Sequence, residues 1–131
     1  MSKVYHTKNA QKHPPWGAFD DEIIFHSRAD SESFVMRKDE FNWLAHRLFE
    51  IWQRKQSPYI QILKEWNECI GFQDVDEQPS IIHDVSDTIA ALRMVEPSTE
   101  QAFNVLEKED LQQLIQFLEK HKDKQIEIIE R

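Results

Sequence analysis

This sequence of 131 residues is poor in glycine, cysteine and long apolar runs. Its two glycines leave no glycine-rich loop of the kind that holds a nucleotide phosphate. The single cysteine, Cys69, cannot form an intramolecular disulfide, and its place late in an amphipathic segment is typical of a buried, unreactive thiol. No apolar stretch approaches the roughly 18 residues of a membrane span, and the N-terminus lacks the apolar core of a secretory signal. We therefore expect a cytoplasmic protein.

Basic residues are scarce in one part of the chain only. The sequence carries 24 acidic and 16 basic residues, a net charge of -8. The whole excess falls in residues 73–110, where Arg93 and Lys108 are the bases among ten acids. We expect no nucleic-acid binding, because phosphate contacts require clustered Lys and Arg. The charge of this segment has two explanations: the segment binds a basic protein partner, or it only keeps the protein soluble.

The first half of the chain predicts a hairpin and two helices. Residues 1–20 are expected to be an irregular arm, or one short edge element, before IIFHS and SFVMR form two strands joined by a polar turn. In KDEFNWLAHRLFEIWQRK the apolar residues recur at i, i+3, i+4, i+7 and i+11, which predicts a helix with one buried face. The segment SPYIQILKEWNECIGF predicts a second helix, with Ser57 as N-cap and Pro58 at its first position.

The second half predicts a third helix and then a strand, a helix and a strand. PSIIHDVSDTIAALRMV predicts a helix that opens at residues 79–80. The C-terminal residues predict a strand at 103–106, a helix from about 108 to 121 and a closing strand at about 125–130. The whole pattern predicts a single α+β domain over residues 21–131, with about four helices packed on a small sheet of short strands.

The chain also resembles itself at an offset of 70 residues. Residues 33–50 and 102–119 each have the pattern of a strand, an acidic helix start and an amphipathic helix. The two helix starts that align are Lys38-Asp39-Glu40 and Lys108-Glu109-Asp110. Two copies are too few for a solenoid, so this strand-helix pseudo-repeat supports the α+β prediction and no repeat architecture.

The acidic stretch FQDVDEQPSIIHDVSD, residues 72–87, is the candidate functional segment. It begins with the D-x-D of a calcium-binding EF-hand loop, but Pro79 and Val85 stand where that loop requires Gly and a bidentate Glu. Two of its carboxylates could form a catalytic pair, yet acids at this density on a loop and a helix start are mostly solvated or cap the helix. The stretch therefore predicts a surface and no catalytic site.

Other candidate sites are equally incomplete. His46 and Glu50, like His83 and Asp87, have the i, i+4 spacing of two metal ligands on one helix face, but two ligands do not make a site. No serine stands in a nucleophile elbow such as G-x-S-x-G. We therefore predict no metal, no cofactor and no enzymatic activity.

Two of the four tryptophans are candidates for contact with a partner. Trp52 and Trp66 fall on the stripes that face the core. Trp43 is about 100 degrees off the buried stripe of its helix, and Trp16 lies in the N-terminal HPPWG. Because Trp is enriched in interface hot spots, Trp43 and Trp16 join the candidate surface, although either could be a lid over the core.

This combination resembles immunity proteins of bacterial contact-dependent inhibition and polymorphic toxin systems. The residues that carry the resemblance are SFVMRKDEFNWLAHRLFE and FNVLEKEDLQQLIQFLEK, with FQDVDEQPSIIHDVSD between them. Such proteins are small cytosolic inhibitors, often acidic, that cover the active cleft of a toxin domain, commonly a basic nuclease. The resemblance implies a toxin nuclease domain as partner, and an acidic contact surface made of Asp74, Asp76, Glu77, Asp84 and Asp87.

Three other functions stay open at this point. An acidic DNA mimic would need carboxylates spaced like phosphates over an extended face, which a segment confined to residues 73–110 does not favour. An adaptor or subunit of a larger complex would use the same exposed aromatics with a permanent partner. A small enzyme with an unrecognised site would need a partly buried cluster around His46 or His83. The sequence leaves the oligomeric state open.

Overall fold

The computed structural model describes residues 3–12, 22–68, 80–100 and 104–130. In these ranges the chain forms a five-stranded sheet and five helices, which confirms the α+β class. In chain order the elements are β1 (Lys3–His6), α1 (Lys8–Lys12), β2 (Glu22–Ser27), β3 (Glu32–Arg37), α2 (Lys38–Gln53), α3 (Gln61–Glu68), β4 (Ser80–Ile81), α4 (Val85–Arg93), α5 (Lys108–Lys120) and β5 (Ile126–Glu130).

The sheet has the strand order β1-β3-β2-β5-β4. The predicted hairpin is confirmed: β2 and β3 pair antiparallel, with Phe25 opposite Phe34. The other side of β2 pairs antiparallel with β5, the predicted closing strand, and β4 pairs antiparallel with β5. At the opposite edge β1 pairs with β3 in parallel, with Tyr5 beside Phe34. The sheet is therefore mixed, and β1 and β4 are its two edges.

The main core lies between one face of the sheet and helices α2 to α5. Strand side chains alternate between the faces, and on the helix-covered face β2 and β3 contribute Ile23, Phe25, Phe34 and Met36, all 1% exposed or less. On the other face Ala10 of α1 packs with a second cluster made of Ile24, Val35 and Ile129. Both faces of β2 are therefore covered, and its central residues Ile23, Ile24 and Phe25 are all buried.

The first predicted helix is confirmed as α2, and its predicted stripe is buried. Phe41, Leu44, Ala45 and Leu48 are all at most 4% exposed. The half-buried tryptophans complete this side of the core: Trp52 stacks on Tyr59 with ring centroids 4.4 Å apart, and Trp66 meets Phe41 edge to face at 4.9 Å. None of the helices in the described ranges is long and apolar enough to cross a bilayer.

Two helices begin later than the sequence predicts. The third predicted helix starts at Val85, because Ser80 and Ile81 instead pair with Ile128 and Glu127 of β5 as strand β4. The second starts at Gln61 and not at Pro58. Both new starts depend on tertiary contacts, because β5 pairs with Ser80 and Ile81, and Asp84 accepts the hydrogen bond of the Gln61 backbone N–H.

The second copy of the pseudo-repeat lacks its predicted strand in the described part. Residues 104–107 are irregular, although Val105 and Leu106 are buried, and the Val105 carbonyl accepts a hydrogen bond from Asn9 Nδ2 at 3.2 Å. The N-terminal arm, by contrast, has more regular structure than the sequence predicts. Its described part contains the edge strand β1, the alternative expected above, and also α1, which the sequence pattern did not indicate.

A charged cluster joins the end of α5 to the β2–β3 turn. His121 is fully buried, with Nδ1 2.7 Å from Asp30 Oδ2 and Nε2 2.8 Å from Glu32 Oε2. Lys124 and Lys120 bind the other sides of these carboxylates, at 2.6 Å and 2.9 Å. Hydrogen bonds from Lys124, and more weakly from His121, hold the pKa of Asp30 below its usual value, and Lys120 has the same effect on the pKa of Glu32.

We predict that His121→Ala lowers the free energy of unfolding by about 3 kcal/mol, because it removes a buried side chain and leaves two carboxylates short of a hydrogen bond. Denaturant unfolding at neutral pH measures the change. The control is Lys122→Ala at the next, exposed position, which should change stability by less than about 0.5 kcal/mol. Similar losses for the two variants would contradict a structural role of this imidazole.

Candidate functional site

The described end of the acidic stretch lies at the β4 edge and the start of α4. Asp84 is half-buried there, and both of its oxygens are used inside the protein. Oδ2 accepts a hydrogen bond from the backbone N–H of Gln61 at 2.8 Å, and Oδ1 accepts one from Thr88 Oγ1 at 3.3 Å. Asp84 therefore caps the start of α3 from across the fold.

Gln61 strengthens the same junction. Its Nε2 donates to the Ile81 carbonyl at 2.6 Å and its Oε1 accepts from the His83 backbone N–H at 2.8 Å. The two contacts link α3 to the segment between β4 and α4. The position of the acidic stretch beyond residue 80 is thus fixed by polar contacts to α3.

Asp87 differs from Asp84 in its surroundings. It lies in the first turn of α4, where the helix dipole favours a carboxylate, and its side chain is exposed. With His83, Ala90 and Met94 it forms the outer stripe of the helix, and Met94 is 41% exposed. This stripe, which we call the α4 face, combines a free carboxylate with an exposed apolar side chain.

Two more acids of the segment are exposed beyond α4. Glu96 and Glu100 make no ion pair with any residue in the described ranges. The segment's own Arg93 offers them no charge compensation, because its guanidinium pairs with Glu119 of α5. The α4 face therefore continues into a surface whose acids make no ion pair in the described ranges, with Arg47 and Arg54 lining the same cavity as Glu96.

The acids at residues 107–110, the end of the acidic segment, make contacts inside the protein. Lys8 Nζ of α1 pairs with Glu107 Oε2 at 3.2 Å and with Glu109 Oε2 at 2.8 Å, and Asp110 is buried at 2% exposure. The acidic segment is thus divided into an exposed part around α4 and a part that attaches α1 to the start of α5.

The other predicted contact residues are only partly placed. Trp43 is half-buried and packs against the main core, with the Arg47 guanidinium 5.8 Å above its ring. Trp16 lies outside the described residues, as do Asp74, Asp76 and Glu77. The structure therefore places three of the predicted surface residues, namely Asp84, Asp87 and Trp43. It brings Asp84 and Asp87 together at the start of α4.

Sequence reasoning missed a buried polar cluster at the starts of α1 and α2. The Thr7 hydroxyl donates to Glu40 Oε1 at 2.6 Å and accepts from the Ala10 backbone N–H at 3.1 Å, so it caps α1 while binding α2. Glu40 Oε1 also accepts from the Arg37 backbone N–H at 3.0 Å, and its second oxygen makes no hydrogen bond within the described ranges.

The same cluster includes Asp110, which accepts a hydrogen bond from the Lys8 backbone N–H at 3.3 Å. Glu40 and Asp110 are the aligned acids of the pseudo-repeat, each the third residue of its helix. That alignment was the one sequence signal that could have singled them out. As first-turn acids on amphipathic helices, they looked like ordinary solvent-exposed partners of the helix dipole.

Burial is the main influence on the pKa values of Glu40 and Asp110. It raises the pKa of Glu40 to about 7, against the opposing effect of the Thr7 hydroxyl, and the nearby charge of Asp110 raises it further. Burial also raises the pKa of Asp110. No group of three or more potential metal ligands occurs within the described ranges, so we read this cluster as a helix junction.

Comparison with known proteins gives no relative: the chain matches no protein-family model, no curated protein and no solved structure.

The contrast between the two neighbouring aspartates is testable. We predict that Asp84→Ala lowers the free energy of unfolding by about 1–2 kcal/mol, because the Gln61 N–H and the Thr88 hydroxyl lose their acceptor. Asp87→Ala should cost about 0.5 kcal/mol or less, the scale of an exposed helix-dipole contact. Equal losses in denaturant unfolding would show that the two carboxylates are not divided between structure and surface.

The buried Glu40 predicts a pH dependence of stability. Its pKa is 4.5 in the unfolded chain and about 7 in the folded protein, so between these values the folded state binds more protons and stability falls as pH rises. The loss should total about 3 kcal/mol, from 1.36 kcal/mol per unit. We predict that Glu40→Gln removes most of this fall in urea unfolding from pH 4.5 to 8, and that the remainder comes from Asp110, whose pKa burial also raises.

Glu109→Gln is the matched control, because Glu109 is exposed and its contact with Lys8 lowers its pKa. A group with a lowered pKa loses its contribution only as pH falls below about 4.5. The Glu109 variant should therefore keep the wild-type loss of stability between pH 4.5 and 7. A wild-type profile that is flat over this range would contradict the assignment.

Proposed function

We propose that this protein is a cytoplasmic binding protein that neutralises a basic partner, and that it acts as an immunity protein covering the active site of a nuclease toxin. The observation that carries the proposal is the group of exposed acids around α4. Asp87, Glu96 and Glu100 are exposed there without an ion pair to a described residue. A nuclease must present a basic groove to bind nucleic-acid phosphates, and this surface is of the opposite sign.

In the proposed mechanism the carboxylates replace the phosphates of the substrate. The α4 face and the acids of residues 72–79 would enter the groove and exclude nucleic acid by occupancy. Long-range attraction between surfaces of opposite charge raises the association rate, which suits an inhibitor that must act before the toxin reaches its substrate. Exposed Met94 would add an apolar contact inside the charged rim.

The state of the titratable clusters supports a binder more than an enzyme. Glu40 is completely buried among its hydrogen-bond partners, and His121 has both ring nitrogens held by carboxylates. These groups connect helices to neighbouring elements and do not face an open cleft. The exposed ionisable groups around α4 lie on the outer stripe of the helix and beyond its end, which suits contact with a macromolecule.

A permanent adaptor or subunit is the second candidate. The observation that favours it is Met94, whose 41% exposure leaves an apolar side chain on the α4 face. An adaptor would stay in a stable complex and would leave its partner's activity unchanged. An immunity protein would inhibit, so an activity assay separates the two.

The first test is capture of the partner by a tagged copy of this protein from its source cells, with elution by a salt gradient. We expect one basic protein to be released by salt, and we expect one equivalent of this protein to stop that partner's cleavage of DNA or RNA. A partner that keeps full nuclease activity in the complex, or a neutral one that salt does not release, would overturn the immunity function.

The α4 surface predicts which variant loses the partner. Asp87→Lys should raise the Kd for the captured partner about tenfold or more, because charge pairs across such interfaces couple by about 1.5 kcal/mol upward. Asp123→Lys makes the same change of net charge at an exposed position outside the acidic segment and should have little effect. Equal weakening by the two variants would indicate a general charge effect and remove the α4 face from the interface.

A further inference from the structure

The sheet edge formed by β1 has the features of a binding site for an extended peptide. The N–H groups of Lys3 in β1 and of Thr7, the residue after β1, donate to the carbonyls of Ser31 and Val35 at 3.1 Å and 3.0 Å. Because successive residues of a strand direct their backbone groups to opposite sides, the N–H and C=O of Val4 and His6 point away from the sheet. No strand pairs with this side in the described ranges.

The side chains at this edge are also open. Val4 is 51% exposed and Tyr5 is 40% exposed, which makes them two of the three large exposed apolar side chains in the described ranges. Natural edge strands are commonly protected by charges, proline or a bulge. Here Lys3 is the one charged residue of β1, and an exposed apolar side chain lies on each face beside it, so the edge offers a surface that a sixth strand would cover.

A cavity of about 290 Å³ lies beside this edge on the helix-covered face. Tyr5 and Phe34 line it from the sheet, and Gln113, Gln116 and Phe117 line it from α5. Small-molecule sites typically measure about 300–1,000 Å³, so this cavity suits one large side chain. In an added strand, the residue opposite Tyr5 would point its side chain towards the cavity, since opposite residues share a face.

The charges around the cavity favour one type of residue next to that side chain in the added strand. Lys120 lines the cavity and is paired with the largely buried Glu32, but its side chain is still 56% exposed. Lys3 lies on the same face of β1 as Tyr5, two residues away, and is exposed. An acidic side chain two residues from the cavity residue would lie opposite the ammonium group of Lys3, whereas the charge of Lys120 is already balanced by Glu32.

We propose that the β1 edge binds an extended segment of a partner protein by strand addition, with an aromatic side chain in the cavity and an acidic residue two positions away, opposite Lys3. The backbone groups of Val4 and His6 supply affinity, and the cavity and Lys3 supply selectivity, as in other strand-addition sites. The site is independent of the α4 face, because β1 and β4 are opposite edges, about 19 Å apart at four strand spacings.

End-blocked pentapeptides test the selectivity directly. Thr-Phe-Thr-Asp-Thr fits an antiparallel added strand, and Thr-Asp-Thr-Phe-Thr fits a parallel one. We expect one of these orders to shift the backbone amide resonances of Val4 and His6 in NMR titrations, and to bind about fivefold more tightly than the same peptide with Lys in place of Asp. Equal binding of the Asp and Lys peptides, shifts centred away from β1, or no binding at millimolar concentration would overturn the proposal.

Two variants test the geometry. Val4→Pro removes an N–H that points away from the sheet and breaks no bond to β3. Edge strands tolerate proline at such positions. The variant should bind the favoured peptide about fivefold more weakly. Gln116→Trp should block the cavity and weaken binding at least about tenfold, whereas Gln112→Trp, also exposed on α5 and absent from the cavity wall, should not. Amide spectra confirm that each variant is folded, and unchanged binding in both Val4→Pro and Gln116→Trp would overturn the proposal.

A second copy of this chain is the competing occupant of the edge. Sedimentation of the unliganded protein distinguishes the two: we expect a monomer whose β1 edge is free for the peptide. A dimer that Val4→Pro dissociates would assign the edge to self-association and would overturn the peptide site.

Discussion

The pairing of β2 with its hairpin neighbour β3 and with β5 from the far end of the chain is the constraint on which the rest of the structure depends. On one side β2 meets β3 through a short turn, and on the other it meets β5 from the end of the sequence. The two pairings close the chain around a strand buried on both faces. Every helix of the main core then packs against a sheet whose centre is already fixed, and α2 begins directly where β3 ends.

Helix α5 is attached to this sheet by a polar junction at each end. At its start Asp110 accepts a hydrogen bond from the backbone N–H of Lys8, the first residue of α1. The side chain of Lys8 pairs with Glu107 and Glu109. At its end Lys120 and His121 bind the carboxylates of the β2–β3 turn. Apolar packing of Leu114 and Leu118 supplies non-directional free energy, whereas these junctions fix the position of the helix along the sheet because hydrogen bonds are directional.

The distribution of charge follows from these junctions. Acids in such polar junctions, such as Glu40 and Asp84, use their carboxylate oxygens for contacts inside the protein. The exposed acids around α4 make no such contacts and face solvent. The lysines at the end of α5 lie near the opposite edge of the sheet. One small domain thus presents two separated surfaces of different chemistry, an acidic helix face near β4 and an open strand edge with exposed lysines at β1.

The sequence by itself determined the α+β class, the β2–β3 hairpin, the buried stripe of α2 and the closing strand β5, because these depend on local periodicity and turn composition. It also located the excess negative charge. Tertiary structure alone decided that Ser80 and Ile81 pair with β5 instead of opening α4, and that residues 104–106 form no strand. Asp84 and Asp87, three residues apart in one acidic stretch, have the same local signal. Only the position of Gln61 across the fold makes one a cap and leaves the other exposed, because burial and partners are properties of contacts between residues far apart in the chain.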